Sequence, residues 1–113
     1  MAHEPTNAVM HYIRSNVLHL KVRGSMTYVT VPELASILDL QPPDLSGIDI
    51  DLSEVRYIDS TGLGFLLVLQ QHLAPGARCT VSGCRNDVHL AIRRLNLDKV
   101  LTLIEEAVDP RDF

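Results

Sequence analysis

The sequence predicts an α/β fold: a mixed sheet of four to five strands with three to four helices mainly on one face. Three observations lead there. Several short runs alternate apolar and polar residues with the period of a half-buried strand, Gly47-Ile48-Asp49-Ile50-Asp51-Leu52 most clearly. Between them lie segments with the longer apolar spacing of helices. The two kinds follow one another in the order strand, strand, helix, strand, helix, strand, helix, which right-handed crossovers fold into one layered sheet.

Val9 to Arg14 and Val17 to Arg23 both alternate, and Ser15-Asn16 between them reads as a tight hairpin turn. Gly24 is expected to break the second strand. Thr30 is placed to cap a helix opening at Val31-Pro32-Glu33, since proline and a negative charge both suit a first turn. That helix runs through Leu38 and stops before Gln41-Pro42-Pro43. After the Gly47 to Leu52 strand, Ser53-Glu54 reads as a turn and Tyr57-Ile58 as a further short sheet segment.

From Ser60 to Leu73 the pattern becomes that of a helix apolar nearly all round, ended by Pro75-Gly76. Such a helix is either mostly buried or keeps an apolar face for a partner. Cys79-Thr80-Val81 is the next strand, and Asn86 or Asp87 is expected to cap a third helix through Val88, Leu90, Ala91, Ile92 and Leu95. Val100 to Ile104 is a last apolar run, strand or helix start, and Glu105 to Phe113 reads as a frayed end. Of 113 residues, 46% are hydrophobic, enough for one core and too few for two, so residues 1–113 are expected to form one domain with its core at about 9–104.

Composition narrows the function. A net charge of −4 argues against nucleic-acid binding, because phosphate neutralisation needs clustered Lys and Arg; only Arg85, Arg93 and Arg94 form a local basic group, read as a solvated helix face. No apolar run approaches the roughly eighteen residues of a membrane span, and Met1 to Pro5 lacks the layout of a secretion signal, so a cytoplasmic location without membrane insertion is expected. Cys79 and Cys84 are expected to be reduced, half-buried core residues. Histidines 3, 11, 19, 72 and 89 show no ligand spacing or acidic partners, so neither a metal nor a cofactor is implied.

The turn Asp59-Ser60-Thr61-Gly62-Leu63-Gly64 stands out. It lies where a strand leads into a helix N-terminus, the position at which open α/β sheets gather function. Hydroxyls on the first helical residues sit beside unpaired N–H groups and the positive end of the helix dipole, which favours a phosphate there. Two glycines in one turn cost a helix about 1 kcal/mol each against alanine. They either make room for packing or let a partner approach, and Asp59 or Ser60 simply caps the helix on the plainer reading. A P-loop is ruled out because no Lys follows the glycines. A nucleophile elbow is ruled out because Ser60 lacks the flanking glycines and a suitable later histidine.

The run Ile48-Asp49-Ile50-Asp51-Leu52-Ser53, then Tyr57-Ile58-Asp59-Ser60-Thr61-Gly62-Leu63-Gly64, then Gly83 before a helix, resembles the STAS domain of bacterial anti-sigma factor antagonists. The likeness extends from about Val9 to Ile104. It implies that Ser60, rather than Thr61, is phosphorylated by a partner serine kinase that is also the anti-sigma factor, with a phosphatase reversing the reaction. It implies partner switching: unphosphorylated protein docks and the phosphate ends docking, as a dianion in a close-fitting interface would.

One place departs from the antagonist pattern, since Thr27 stands where those proteins carry an acidic residue. The loop Gly24 to Pro32 is instead similar to STAS subunits of bacterial phospholipid-transport ABC systems, which bind the transporter ATPase. The expected partner surface comprises Asp59, Ser60, Thr61, Gly62 and Gly64, with the loop Met26 to Thr30, Thr27 and Tyr28 in particular, at its edge. No catalytic residues are expected, because no paired carboxylates, metal ligands or nucleophile-base pair assemble.

Overall fold

The computed structural model of the chain describes residues 8–105. The expectations for His3, for the first residues and for the tail beyond Glu105 fall outside them. Five strands, β1 (Val9–Arg14), β2 (Val17–Met26), β3 (Gly47–Ile58), β4 (Arg78–Ser82) and β5 (Thr102–Ile104), form one sheet in sequence order. The helices are α1 (Val31–Asp39), α2 (Ser60–His72) and α3 (Asn86–Arg94), with a 3₁₀ turn at Leu97–Lys99 before β5.

The β1–β2 pair is antiparallel and the other three pairs are parallel. Ser15 and Asn16 both take positive φ, 53° and 63°, which is the two-residue hairpin geometry whose twist matches its strands. Because β2 to β5 follow one another without skipping, right-handed crossovers put α1, α2 and α3 on the same face. Side chains agree: Leu18, Leu20, Val22, Ile48, Ile50, Leu52, Cys79 and Val81 alternate onto a fully buried face. Leu34, Leu38, Leu66, Leu69 and Ile92 cover it from the helices. Each such buried leucine or isoleucine contributes about 2 kcal/mol of transfer free energy.

Two expected breaks in the sheet are absent. Gly24 does not end β2; its φ of +83° accompanies register shifts between Lys21 and Arg23 and between Gly24 and Ser25, so the strand bulges and continues to Met26. Nor do Ser53 and Glu54 form a turn, because β3 runs unbroken from Gly47 to Ile58. Their polar groups are used inside the sheet: the Ser53 amide donates to Asp51 Oδ1 at 2.8 Å, and Glu54 pairs with Lys21 and Arg23 at 3.2 and 3.4 Å.

The helix caps also differ from expectation. Thr30 makes no side-chain cap bond to α1, and its hydroxyl instead accepts from the Thr27 amide (3.1 Å) and donates to the Ser25 carbonyl (2.8 Å). Asn86 and Asp87 lie inside α3, whose cap position is Arg85 without a side-chain bond. The final apolar run becomes strand only at Thr102–Ile104.

The sheet face opposite the helices carries a ladder of opposite charges that the sequence reading missed. His19 faces Asp49, Lys21 faces Asp51 and Arg23 faces Glu54 across the parallel β2–β3 pair. Lys21 and Asp51 are only 7% and 2% exposed, with Nζ 3.6 Å from Asp51 Oδ2. His19, expected to lack an acidic partner, lies 3.6 Å from Asp49 and stacks on Tyr12 with ring centroids 4.6 Å apart. Period-two charges in both strands were the available signal, but register alone makes them neighbours.

Candidate functional site

Asp59 is the hinge of the site. It takes the extended cap position of α2, where Oδ1 accepts from the Gly62 amide at 2.9 Å. Oδ2 accepts from the Tyr28 amide at 3.1 Å, and the Asp59 amide donates to the Met26 carbonyl at 3.3 Å. One side chain thus ties the first turn of α2 to the segment joining β2 to α1. That segment holds itself rigid, with the Val29 amide donating to Thr27 Oγ1 at 3.2 Å and the Thr30 and Val31 amides to the Thr27 carbonyl at 3.0 and 2.8 Å.

With the cap supplied by Asp59, Ser60 has no capping task. It and Thr61 are exposed, and neither hydroxyl has a hydrogen-bond partner among the described residues. Their amides are the two first-turn donors left without an acceptor among those residues. A group added to Ser60 Oγ would meet solvent, the positive end of α2 and no steric obstacle from its own hydrogen bonds.

The two glycines separate into different roles. Gly62 is buried, and a Cβ there would overlap the Met26 carbonyl oxygen and come within 2.8 Å of Ile58 Cγ1. It is glycine so that α2 can press against the end of β2. Gly64 is exposed, and a Cβ there would meet nothing within 4 Å. Packing within the chain gives it no reason to lack a side chain.

The remaining expected residues fall on two levels. Tyr28 is 72% and its neighbour Val29 71% exposed, whereas Met26, expected on the same edge, is fully buried in the core. Thr27 is buried with its hydroxyl turned to the Val29 amide, so it shapes the loop from beneath. Along α2 the outward stripe Thr61, Gly64 and Val68 continues from Ser60. The helix therefore buries Leu63, Phe65, Leu66 and Leu69 and still presents a small, partly apolar outer surface.

The other chemically suggestive residues do not join this site. Cys79 is fully buried rather than half-buried, and burial, with a smaller push from Asp49, moves its thiol up to about 12. Cys84 is partly buried, and burial outweighs a backbone hydrogen bond to leave its thiol at about 11. Both are free thiols far from the thiolate form at neutral pH. Among the described residues no group of three or more His, Cys, Asp or Glu is arranged to hold a metal ion, and no helix is long and apolar enough to cross a membrane.

A five-stranded mixed sheet with three helices defines a SpoIIAA-like STAS fold. The chain belongs to the STAS domain family: the family model described as "Mlab, STAS domain" matches residues 10–105. Among solved structures, an anti-sigma factor antagonist of Mycobacterium paratuberculosis superposes with TM-score 0.71 at 24% identity, over 92% of this chain and 87% of that one. The anti-sigma factor antagonist SpoIIAA in its unphosphorylated form gives TM-score 0.68 at 12% identity, over 93% and 94%. A sulfate transporter family protein of Wolinella succinogenes gives 0.68 at 16%, over 84% and 81%. At these identities the likeness is one of fold. Comparison with curated protein sequences gives no match.

Proposed function

We propose that this protein is a cytoplasmic, non-enzymatic binding module of the anti-sigma factor antagonist kind, in which phosphorylation of Ser60 by a partner serine kinase ends docking and a phosphatase restores it. The observation that carries this reading is the free, exposed Ser60 hydroxyl on a turn that Asp59 holds in place without its help. Docking uses the surface around it: Ser60, Thr61 and Gly64 from α2, with Tyr28 from the adjoining loop. Phosphate adds up to two negative charges, which the helix end stabilises in the free protein and which a close interface must desolvate. The modified state is thus favoured apart and disfavoured in the complex.

The test is recovery of the tagged protein from its native host, identification of what accompanies it and mapping of phosphate. A kinase partner with phosphate on Ser60 is expected, and Ser60→Asp should weaken that complex by well over tenfold. Unchanged affinity refutes the gate.

A second reading is a STAS subunit docked on the ATPase of a bacterial phospholipid-transport system. It is favoured by Thr27 in place of an acidic residue, and the matched family model carries the Mlab description. Co-expression with such an ATPase separates the two: a stable complex with unmodified Ser60 supports the second, and no complex removes it.

A further inference from the structure

Beside Ser60 lies a shallow groove whose walls come from three elements: Tyr57 at the end of β3, Ser60 and Leu63 on α2, and Ala91, Arg94 and Leu95 at the end of α3. Its apolar groups are unusually open, Tyr57 being 61% and Leu95 56% exposed. Arg94 is exposed and has no ion-pair partner among the described residues. The acid on the rim, Asp59, already has both carboxylate oxygens on backbone amides. Arginine in the last turn of a helix complements its dipole, and that role leaves the guanidinium free to bind outward.

We infer that this groove receives an acidic, apolar segment of the partner protein, its large side chains between Tyr57 and Leu95 and a carboxylate on Arg94. Arginine over apolar walls suits this pairing, because its planar fork engages a carboxylate through two hydrogen bonds and tolerates partial desolvation. A groove recessed between three elements favours an inserted protein segment over the flat face of an anionic lipid surface. The inference rests on the proposed Ser60 gate for its regulation: a phosphate on one wall would draw Arg94 from the other and repel the incoming carboxylate.

Selection of a random peptide library displayed on phage against the full chain tests it. Enriched sequences are expected to combine Asp or Glu with nearby Leu or Phe. By fluorescence polarisation, Arg94→Glu should weaken their binding at least tenfold, whereas Arg78→Glu, the same charge change at the start of β4, should alter it less than twofold. Absence of enrichment, enrichment of neutral or basic peptides, equal effects of the two variants, or sedimentation with phosphatidylglycerol vesicles in place of peptide binding each overturn the inference. Ser60→Asp distinguishes the gate from the groove. If it leaves peptide affinity unchanged while Arg94→Glu abolishes it, the groove stands and the gate fails. If a native partner responds to Ser60 phosphate while enriched peptides ignore Arg94→Glu, the gate stands and the groove fails.

Discussion

Replacing Gly62 and Gly64 in turn by alanine should move stability in opposite directions, although the two residues occupy the same first turns of one helix. In an unconstrained helix each replacement gains about 1 kcal/mol. At Gly64 that gain is unopposed, because the added Cβ meets nothing within 4 Å. At Gly62 the same atom overlaps the Met26 carbonyl oxygen and lies 3.0 Å from its carbon and 2.8 Å from Ile58 Cγ1. Reaching ordinary van der Waals separation requires α2 and the end of β2 to part by roughly 1 Å. Backbone yields less readily than a side chain, so the upper part of the overpacking range applies, about 3 kcal/mol.

The net expectation is a loss of about 2 kcal/mol for Gly62→Ala and a gain of about 1 kcal/mol for Gly64→Ala. For a chain of this length each 1 kcal/mol moves the melting temperature by roughly 4 °C. Thermal unfolding followed by circular dichroism should therefore place the variants about 8 °C below and 4 °C above the parent. Denaturant midpoints should separate in the same order. If Gly62→Ala proves as stable as the parent, the assignment of that glycine to close packing is wrong. If Gly64→Ala is destabilised, its surroundings are not open. A Gly64→Ala variant that is more stable yet loses its partner would show that the bare surface serves docking.

Three further outcomes follow from the same geometry. Asp59→Ala should cost about 1 kcal/mol through the lost helix cap, and amide hydrogen exchange should rise at Gly62 and Tyr28 together, since one carboxylate serves both; exchange rising at Gly62 alone contradicts the bridge. Asp51→Ala should destabilise by about 2 kcal/mol in urea unfolding, because Lys21 loses a buried partner while keeping Glu54 at 3.2 Å, and the Ser53 amide loses its acceptor; a cost under about 1 kcal/mol would place the pair with ordinary surface ion pairs. Burial raises both thiols above the ordinary cysteine value of 9.0, to about 12 for Cys79 and about 11 for Cys84. Their stabilising contribution is therefore complete below pH 9 and lost as pH rises toward 11 to 12. Replacing both by alanine should flatten stability over that window, and an unchanged slope would assign the alkaline loss to other groups.

Much of this was readable along the chain because it is set by local chemistry. The alternation of Ile48, Ile50 and Leu52 with Asp49 and Asp51 marks a strand with one buried face wherever that strand lies. Ser15-Asn16 tolerates the positive φ that a tight hairpin needs. Asp59-Ser60-Thr61 before an apolar helix announces a capped N-terminus with hydroxyls on it. The order of these segments is enough for a mixed sheet with its helices on one side.

What tertiary structure decided is which atom meets which across the sheet. Gly24 and Ser53-Glu54 carry the composition of breaks, yet pairing with a long neighbouring strand turned one into a bulge and the other into continuous β3. Thr30 has the right residue type for a cap, but its hydroxyl found Ser25 and Thr27 first. The glycines of the turn look equivalent in sequence and differ only because the Met26 carbonyl lies over Gly62 and nothing lies over Gly64. Residue type and spacing determine local conformation and polarity; distances between residues remote in sequence exist only after the chain has closed on itself, so the Asp59 bridge, the Lys21–Asp51 pair and the groove shared by Ser60 and Arg94 belong to the fold.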